Sequence, residues 1–227
     1  MRVTVHQPNY LPYLGLFHKM ARADVFVVFD TAQYSRQLGY HNRNLIKTPR
    51  GAQWITVPVR HGTLHAIRDV QIGDDRWANR HCQTLDANYR RAPYYESYAP
   101  ELKAILAKAW TQLAELNECL IGLLARWLDI PTKMVRASSL PAPPTTDPTS
   151  KILHFVRSVG GDTYLSGQGG HGYLDEAQFT DVRLEYDEFV PTPYPQLFGD
   201  FIPNLSVVDA IFNRGESIAL QKAIEAT

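Results

Sequence analysis

Close to the amino terminus, His6, Gln7, Asn9 and Tyr10 bring an imidazole, two amides and a phenol together, and Pro8 and Pro12 restrict the backbone around them. An imidazole titrates near neutrality and suits general acid or base work. Amides and a phenol suit substrate orientation or stabilisation of a developing oxyanion. Asp30 ends a later apolar run, Val25-Phe26-Val27-Val28-Phe29, and completes a candidate catalytic set of His6, Gln7, Asn9 and Asp30. The competing reading is a loop whose polar groups only cap the helix that follows.

Further clusters supply binding groups. Between Asp30 and Lys47 lie Gln33, His41, Arg43, Asn44 and Lys47, a polar loop in which Arg43 and Lys47 have the charge to grip a carboxylate or phosphate. The segment Ser166-Gly167-Gln168-Gly169-Gly170-His171-Gly172-Tyr173 turns on glycines, which let backbone N–H groups approach an anion. Ser166, Gly167, His171 and Tyr173 are its binding candidates. It matches neither a phosphate-binding loop nor a dinucleotide fingerprint, and no G-x-S-x-G elbow surrounds Ser166. The proline-rich stretch from Pro191 to Asp209 reads as a rigid clamp on the sheet, with Asn204 as a polar anchor. No metal is expected, because His61, His65 and His81 lack an H-E-x-x-H frame or a cysteine cluster. His18 reads as a surface helix residue and His154 as a structural one.

These residues need elements to position them. The pattern predicts strands at 2–6, 25–30, 53–59, 67–72, 132–137, 162–167 and 183–189. It predicts helices at 13–23, 149–159 and 204–213, capped by Asp147 or Thr149 and by Asn204 or Ser206 in the last two. A helical region fills 75–128, broken at Pro93, and a proline-rich connector spans 141–148. Strands alternating with helices predict one α/β domain over residues 1–227, with a largely parallel sheet flanked by helices and a helical insertion at 75–128.

Composition excludes several classes. Lys+Arg 23 balances Asp+Glu 23, so bulk charge does not hold a polyanion. Cys82 and Cys119 form no disulfide framework and read as packed thiols in a reducing compartment. No signal peptide and no apolar run of about 20 residues is found, so the expected location is the cytoplasm, without membrane insertion.

The chain resembles the WbqC-like protein family. The resemblance is carried by His6-Gln7-Pro8-Asn9-Tyr10-Leu11-Pro12-Tyr13-Leu14-Gly15, Ala23-Asp24-Val25-Phe26, Asn42-Arg43-Asn44-Leu45-Ile46-Lys47-Thr48-Pro49 and Trp54-Ile55-Thr56-Val57-Pro58-Val59. Thr163-Tyr164-Leu165-Ser166-Gly167, Tyr194-Pro195-Gln196-Leu197-Phe198 and Asn204-Leu205-Ser206 extend it over nearly the whole chain. Gln168 and His171-Gly172 depart from the family pattern, which often has a proline after Ser-Gly and a basic residue before Tyr-Leu. The resemblance implies a place in bacterial O-antigen or natural-product (antibiotic) biosynthesis. There the expected function is acyl or aminoacyl transfer, for example of glycine, from a carrier thioester or aminoacyl-tRNA to an amino-sugar nitrogen. His6 would deprotonate the amine, Gln7 or Asn9 would hold the oxyanion, and Arg43 and Lys47 would hold carrier phosphates. No cysteine lies at these sites, which disfavours a cysteine-linked acyl-enzyme. The alternatives are a nucleotidyl- or adenylyl-type transferase with a nucleotidyltransferase-like (HUP-like) amino-terminal half, and a non-catalytic sugar-binding or scaffold protein. Partners implied are an amino sugar or glycan precursor and an acyl or peptidyl carrier protein or tRNA.

Overall fold

The computed structural model describes residues 1–35, 39–60, 65–74 and 76–215. In chain order its elements begin with β1 (Arg2–His6), α1 (Leu14–Ala21), β2 (Val25–Val28), β3 (Arg43–Thr48), β4 (Gly51–Thr56), β5 (Val59–Arg60) and β6 (Gln71–Ile72). They continue with α2 (Trp77–Tyr89), α3 (Tyr95–Leu106), α4 (Leu113–Trp127), β7 (Lys133–Arg136), α5 (Pro148–Ser158), β8 (Thr163–Gly167), β9 (Arg183–Asp187) and α6 (Val207–Arg214).

Five strands form a sheet in the order β7-β2-β1-β8-β9, and every neighbouring pair is parallel. Counted among themselves along the chain, these strands run 3-2-1-4-5. The order reverses between β1 and β8, where a doubly wound sheet opens a crevice at the carboxyl ends of its strands. Apolar side chains cover both faces, as the continuous Val25–Val28 run predicts. Val3, Val5, Val25 and Val27 pack with Ile152, Phe155 and Val156 of α5. Phe26 and Val28 turn the other way, into a core shared with α1, α2, α3, α4 and α6.

The strands and helices of the parallel layer lie where the pattern predicts them, with ends shifted by a few residues. Asp147 caps α5, its carboxylate accepting from Ser150 N at 2.7 Å, and Ser206 caps α6. The larger departures lie between β2 and α2. Residues 43–48 are not a polar loop but strand β3, paired antiparallel with β4. Its polar side chains conceal the strand pattern because several are buried and bonded inside the protein. The predicted strand 67–72 divides into a single 3₁₀ turn, Ile67–Asp69, and β6. His61 falls outside the described residues. Among the described residues no helix is long and apolar enough to cross a membrane.

The loop from Gln7 to Tyr13 is mostly buried, and other elements satisfy its backbone. Asn44 of β3 donates to Tyr10 O at 3.2 Å and Leu11 O at 2.7 Å. Asn117 of α4 donates to Pro8 O at 2.9 Å and to His41 O at 2.7 Å. Tyr10 N donates to Tyr40 O at 2.9 Å. These bonds hold Leu11 at a φ of 41°, the left-handed region that a leucine enters only under constraint. Asn44→Ala leaves two buried carbonyls without that donor. We expect it to lower stability by about 2–4 kcal/mol in urea unfolding, and a loss under about 0.5 kcal/mol would contradict the role.

Candidate functional site

A cavity of about 940 Å³ opens at the carboxyl ends of β1, β2, β8 and β9, at the reversal of strand order. Its volume is in the range of small-molecule sites. Six residues singled out in the sequence line it: His6, Gln7, Gln33, Gly167, Tyr173 and Asn204. Distant segments therefore converge on one cleft because the sheet sets β1 beside β8.

Two side chains of the first loop have defined polarity. His6 Nδ1 lies 2.8 Å from Gln7 O, so it carries the proton, and Nε2 is left as an acceptor. Burial and the neighbouring Lys19 charge lower the His6 pKa to about 3. At neutral pH the ring is a neutral hydrogen-bond acceptor. Storing a proton on it at pH 7 would cost on the order of 5 kcal/mol. Next along the chain, Gln7 Oε1 accepts from His41 Nε2 at 2.7 Å, while His41 Nδ1 accepts from Ser35 N at 3.3 Å. Burial lowers the His41 pKa to about 4, which keeps this ring neutral too. With its oxygen occupied, Gln7 keeps its NH₂ group as the donor it can offer in the cavity lining.

The remaining candidates sit elsewhere. Tyr10 donates to His81 Nδ1 at 2.8 Å, and His81 Nε2 donates to Thr56 O at 3.2 Å, which locks α2 to the loop and to β4. Asn9 is buried off the cavity. Asp30 accepts from the backbone N and the hydroxyl of Ser138 and so fixes the turn after β7. Arg43 lies over the Trp54 ring, 4.5 Å from its centroid. Lys47 does not reach the cavity: its buried ammonium donates to Gln196 Oε1, Gly199 O and Asp200 O, so its three protons bind the carboxyl-terminal segment. Ser166 is buried against Gly170, and His171 stacks on Tyr186 with centroids 3.6 Å apart. Asn44 is the backbone clamp described above.

The cavity also exposes groups that pattern reading missed. Lys19 is only 4% exposed, yet it lines the cavity. Burial lowers its pKa to about 8, opposed by the Asp187 charge. Asp187, at the end of β9, also lines the cavity and is bound by Arg22 Nη1 at 2.7 Å and His18 Nδ1 at 2.9 Å. His18 is thus a buried partner of Asp187 and not a surface residue. Residue type gave no signal for Lys19: six of the eight residues of α1 are buried, a depth seen only in the structure. Tyr13, Tyr40, Tyr164 and Lys151 add to the polar lining, and Phe29 and Phe189 to the apolar part. Burial raises the pKa values of Tyr13, Tyr164 and Tyr173, so their hydroxyls remain protonated donors. Tyr40, which lines the cavity, is exposed, and its ring centroid lies 5.6 Å from that of the exposed Trp54.

A model of the WbqC-like protein family matches residues 7–220, from the first loop beyond α6. The chain belongs to the WbqC-like protein family. It is similar to the uncharacterized protein Rv1507c of Mycobacterium tuberculosis (strain ATCC 25618 / H37Rv), with 33% identity over 222 residues and 94% of each chain covered. No solved structure matches it.

The neutral histidines of this WbqC-like protein predict its acid stability. His6, His41 and His81 have folded pKa values lowered to about 3, 4 and 4. The unfolded chain binds protons at these positions below about pH 6.5, while the folded chain stays neutral until near pH 4. Their contribution is present above pH 6.5 and is lost as pH falls toward 4. In urea unfolding we expect stability to decline between pH 6.5 and 4.5, and His81→Gln to make that decline shallower by about one proton. An unchanged slope in the variant would contradict the assignment.

Proposed function

We propose that this protein is a group-transfer enzyme that moves an acyl or aminoacyl group from an activated carrier to the nitrogen of an amino sugar. The reading rests on one observation above all: His6 and Gln7, adjacent in the chain, both line the cavity, and their internal bonds leave His6 Nε2 as an acceptor and the Gln7 NH₂ group as a donor. Attack on an acyl carbon needs both functions. The amine must be oriented through an N–H bond, and the carbonyl oxygen must be stabilised as it gains charge.

In this scheme the amine nitrogen attacks the acyl carbon, the amide C–N bond forms, and the C–S or C–O bond to the carrier breaks. The amine proton passes by way of His6 Nε2 to the leaving sulfur or oxygen. Its low basicity makes His6 an orienting acceptor and relay, in place of the resting general base expected from residue type. Gln7 supplies the oxyanion donor, held in that orientation by His41. The exposed Tyr40 ring, the Tyr173 hydroxyl and Asn204 give a sugar both a stacking face and hydrogen-bond partners. The WbqC-like membership supports the biosynthetic setting of such a reaction.

Nucleotidyl transfer is the second reading, favoured by the 3-2-1-4-5 order of the parallel strands, an arrangement that also serves nucleotide binding. Titration with ATP separates the two, because a ligand bound to the native state raises its melting temperature. The direct test incubates the protein with loaded carrier and candidate amino sugars and follows the amide by mass spectrometry. Gln7→Ala is expected to lower kcat by about 10²-fold. His6→Ala is expected to lower the rate by about 10²-fold. Unchanged turnover in both variants would overturn the assignment.

A further inference from the structure

We propose that the inner part of the cavity is a phosphate-binding subsite built on Lys19. The inference rests on the group-transfer reading only for the donor's identity, since the donor would carry this phosphate alongside its acyl group. The chemistry expected is a phosphate ester, whether on a pantetheine arm or on a nucleotide.

Lys19 carries the argument. Its side chain is enclosed, lines the cavity, and makes no hydrogen bond or close ion pair among the described residues, the Asp187 carboxylate acting on it only as a nearby charge. Burying a charge without a partner is costly, and the usual response is a counter-charge. The carboxylate in the lining, Asp187, is already bound by Arg22 and His18. Lys151, on the opposite wall from α5, adds a second positive charge. With Asp187 balanced by Arg22, the lining is left electropositive.

The backbone around Lys19 fits the same ligand. Tyr13, Gly15 and Leu16, at the start of α1, line the cavity. The amino terminus of α1 has no side-chain cap and no acidic residue in its first turn. Leu16 N donates to Tyr13 O at 3.2 Å, and the dipole of the uncapped helix end favours an anion. Gly167, which also lines the cavity, lies beside the ammonium: a Cβ there would be 3.8 Å from Lys19 Nζ. At Gly169 a Cβ would meet nothing within 4 Å, which leaves open space in the turn. A lysine, an uncapped helix terminus and a glycine turn thus line one cavity, and an oxyanion with several acceptor oxygens satisfies all of them.

Calorimetric titration of the full chain with inorganic pyrophosphate, coenzyme A and AMP tests this. Coenzyme A binding more tightly than AMP would assign the phosphate to a pantetheine arm, and the reverse order to a nucleotide. Lys19→Met should fold, since it replaces a buried charge by an apolar chain of similar length. It should weaken whichever ligand binds by at least about tenfold, which is 1.4 kcal/mol. Lys151→Ala should weaken it less, because Lys151 is more exposed. A second readout uses the unaltered protein: bound pyrophosphate should shield Lys19 from acetic anhydride, read by peptide mass spectrometry. Absence of binding by all three compounds at about 10 mM, equal affinity in Lys19→Met, or unshielded Lys19 would overturn the subsite. Loss of amide formation with anion binding intact would instead count against the transfer reading alone.

Discussion

The loop between β1 and α1 is buried, and a buried loop needs partners for its backbone carbonyls. Much of the site follows from meeting that need. Asn44, from a hairpin more than thirty residues away in sequence, and Asn117, from α4, supply amide donors to Pro8, Tyr10 and Leu11. The loop is thereby tied to the hairpin and to the helical layer, and Leu11 stays in a conformation it would not choose alone. Tyr10 adds a further tie through His81. The consequence lies at the start of the loop, where His6 and Gln7 leave β1 with fixed backbones and face the crevice between β1 and β8. Placing functional groups on a rigid, fully bonded segment is a general way to limit the cost of orientation.

Several polar residues between 30 and 47 serve that scaffold. Asp30 holds Ser138, Asn44 holds the loop, and Lys47 holds the carboxyl-terminal segment through Gln196, Gly199 and Asp200. His41 stands between the two roles, because it supports Gln7 from behind without lining the cavity. Polar residue type alone does not separate a ligand contact from an internal bond, which is why these residues read as binding groups in sequence.

The parallel layer was legible because its strands are apolar and its helices periodic. Val25–Val28 is apolar at every position, and α4 repeats its leucines at helical spacing. Hairpin β3–β4 was half legible: the Trp54–Val57 run marks β4, while Arg43-Asn44 and Lys47-Thr48 mask β3. The convergence of His6, Gly167 and Asn204 depended on strand order, which no local pattern encodes. Lys19 was missed because a lysine on a helix is ordinarily a solvated residue, and only the depth of α1 makes this one a cavity group. The same burial that lowers the Lys19 pKa joins with its charge to keep His6 neutral, so the two residues act as one electrostatic unit.

The central claim is that this network fixes the proton positions of His6 and His41 and thereby aims a donor and an acceptor into one cavity. Nitrogen-15 NMR of the imidazoles between pH 5 and 7 tests it most directly. The account predicts that both rings stay neutral over that range, with the proton on Nδ1 in His6 and on Nε2 in His41. Titration of either ring near pH 6.5, or a proton on Nδ1 of His41, would contradict it.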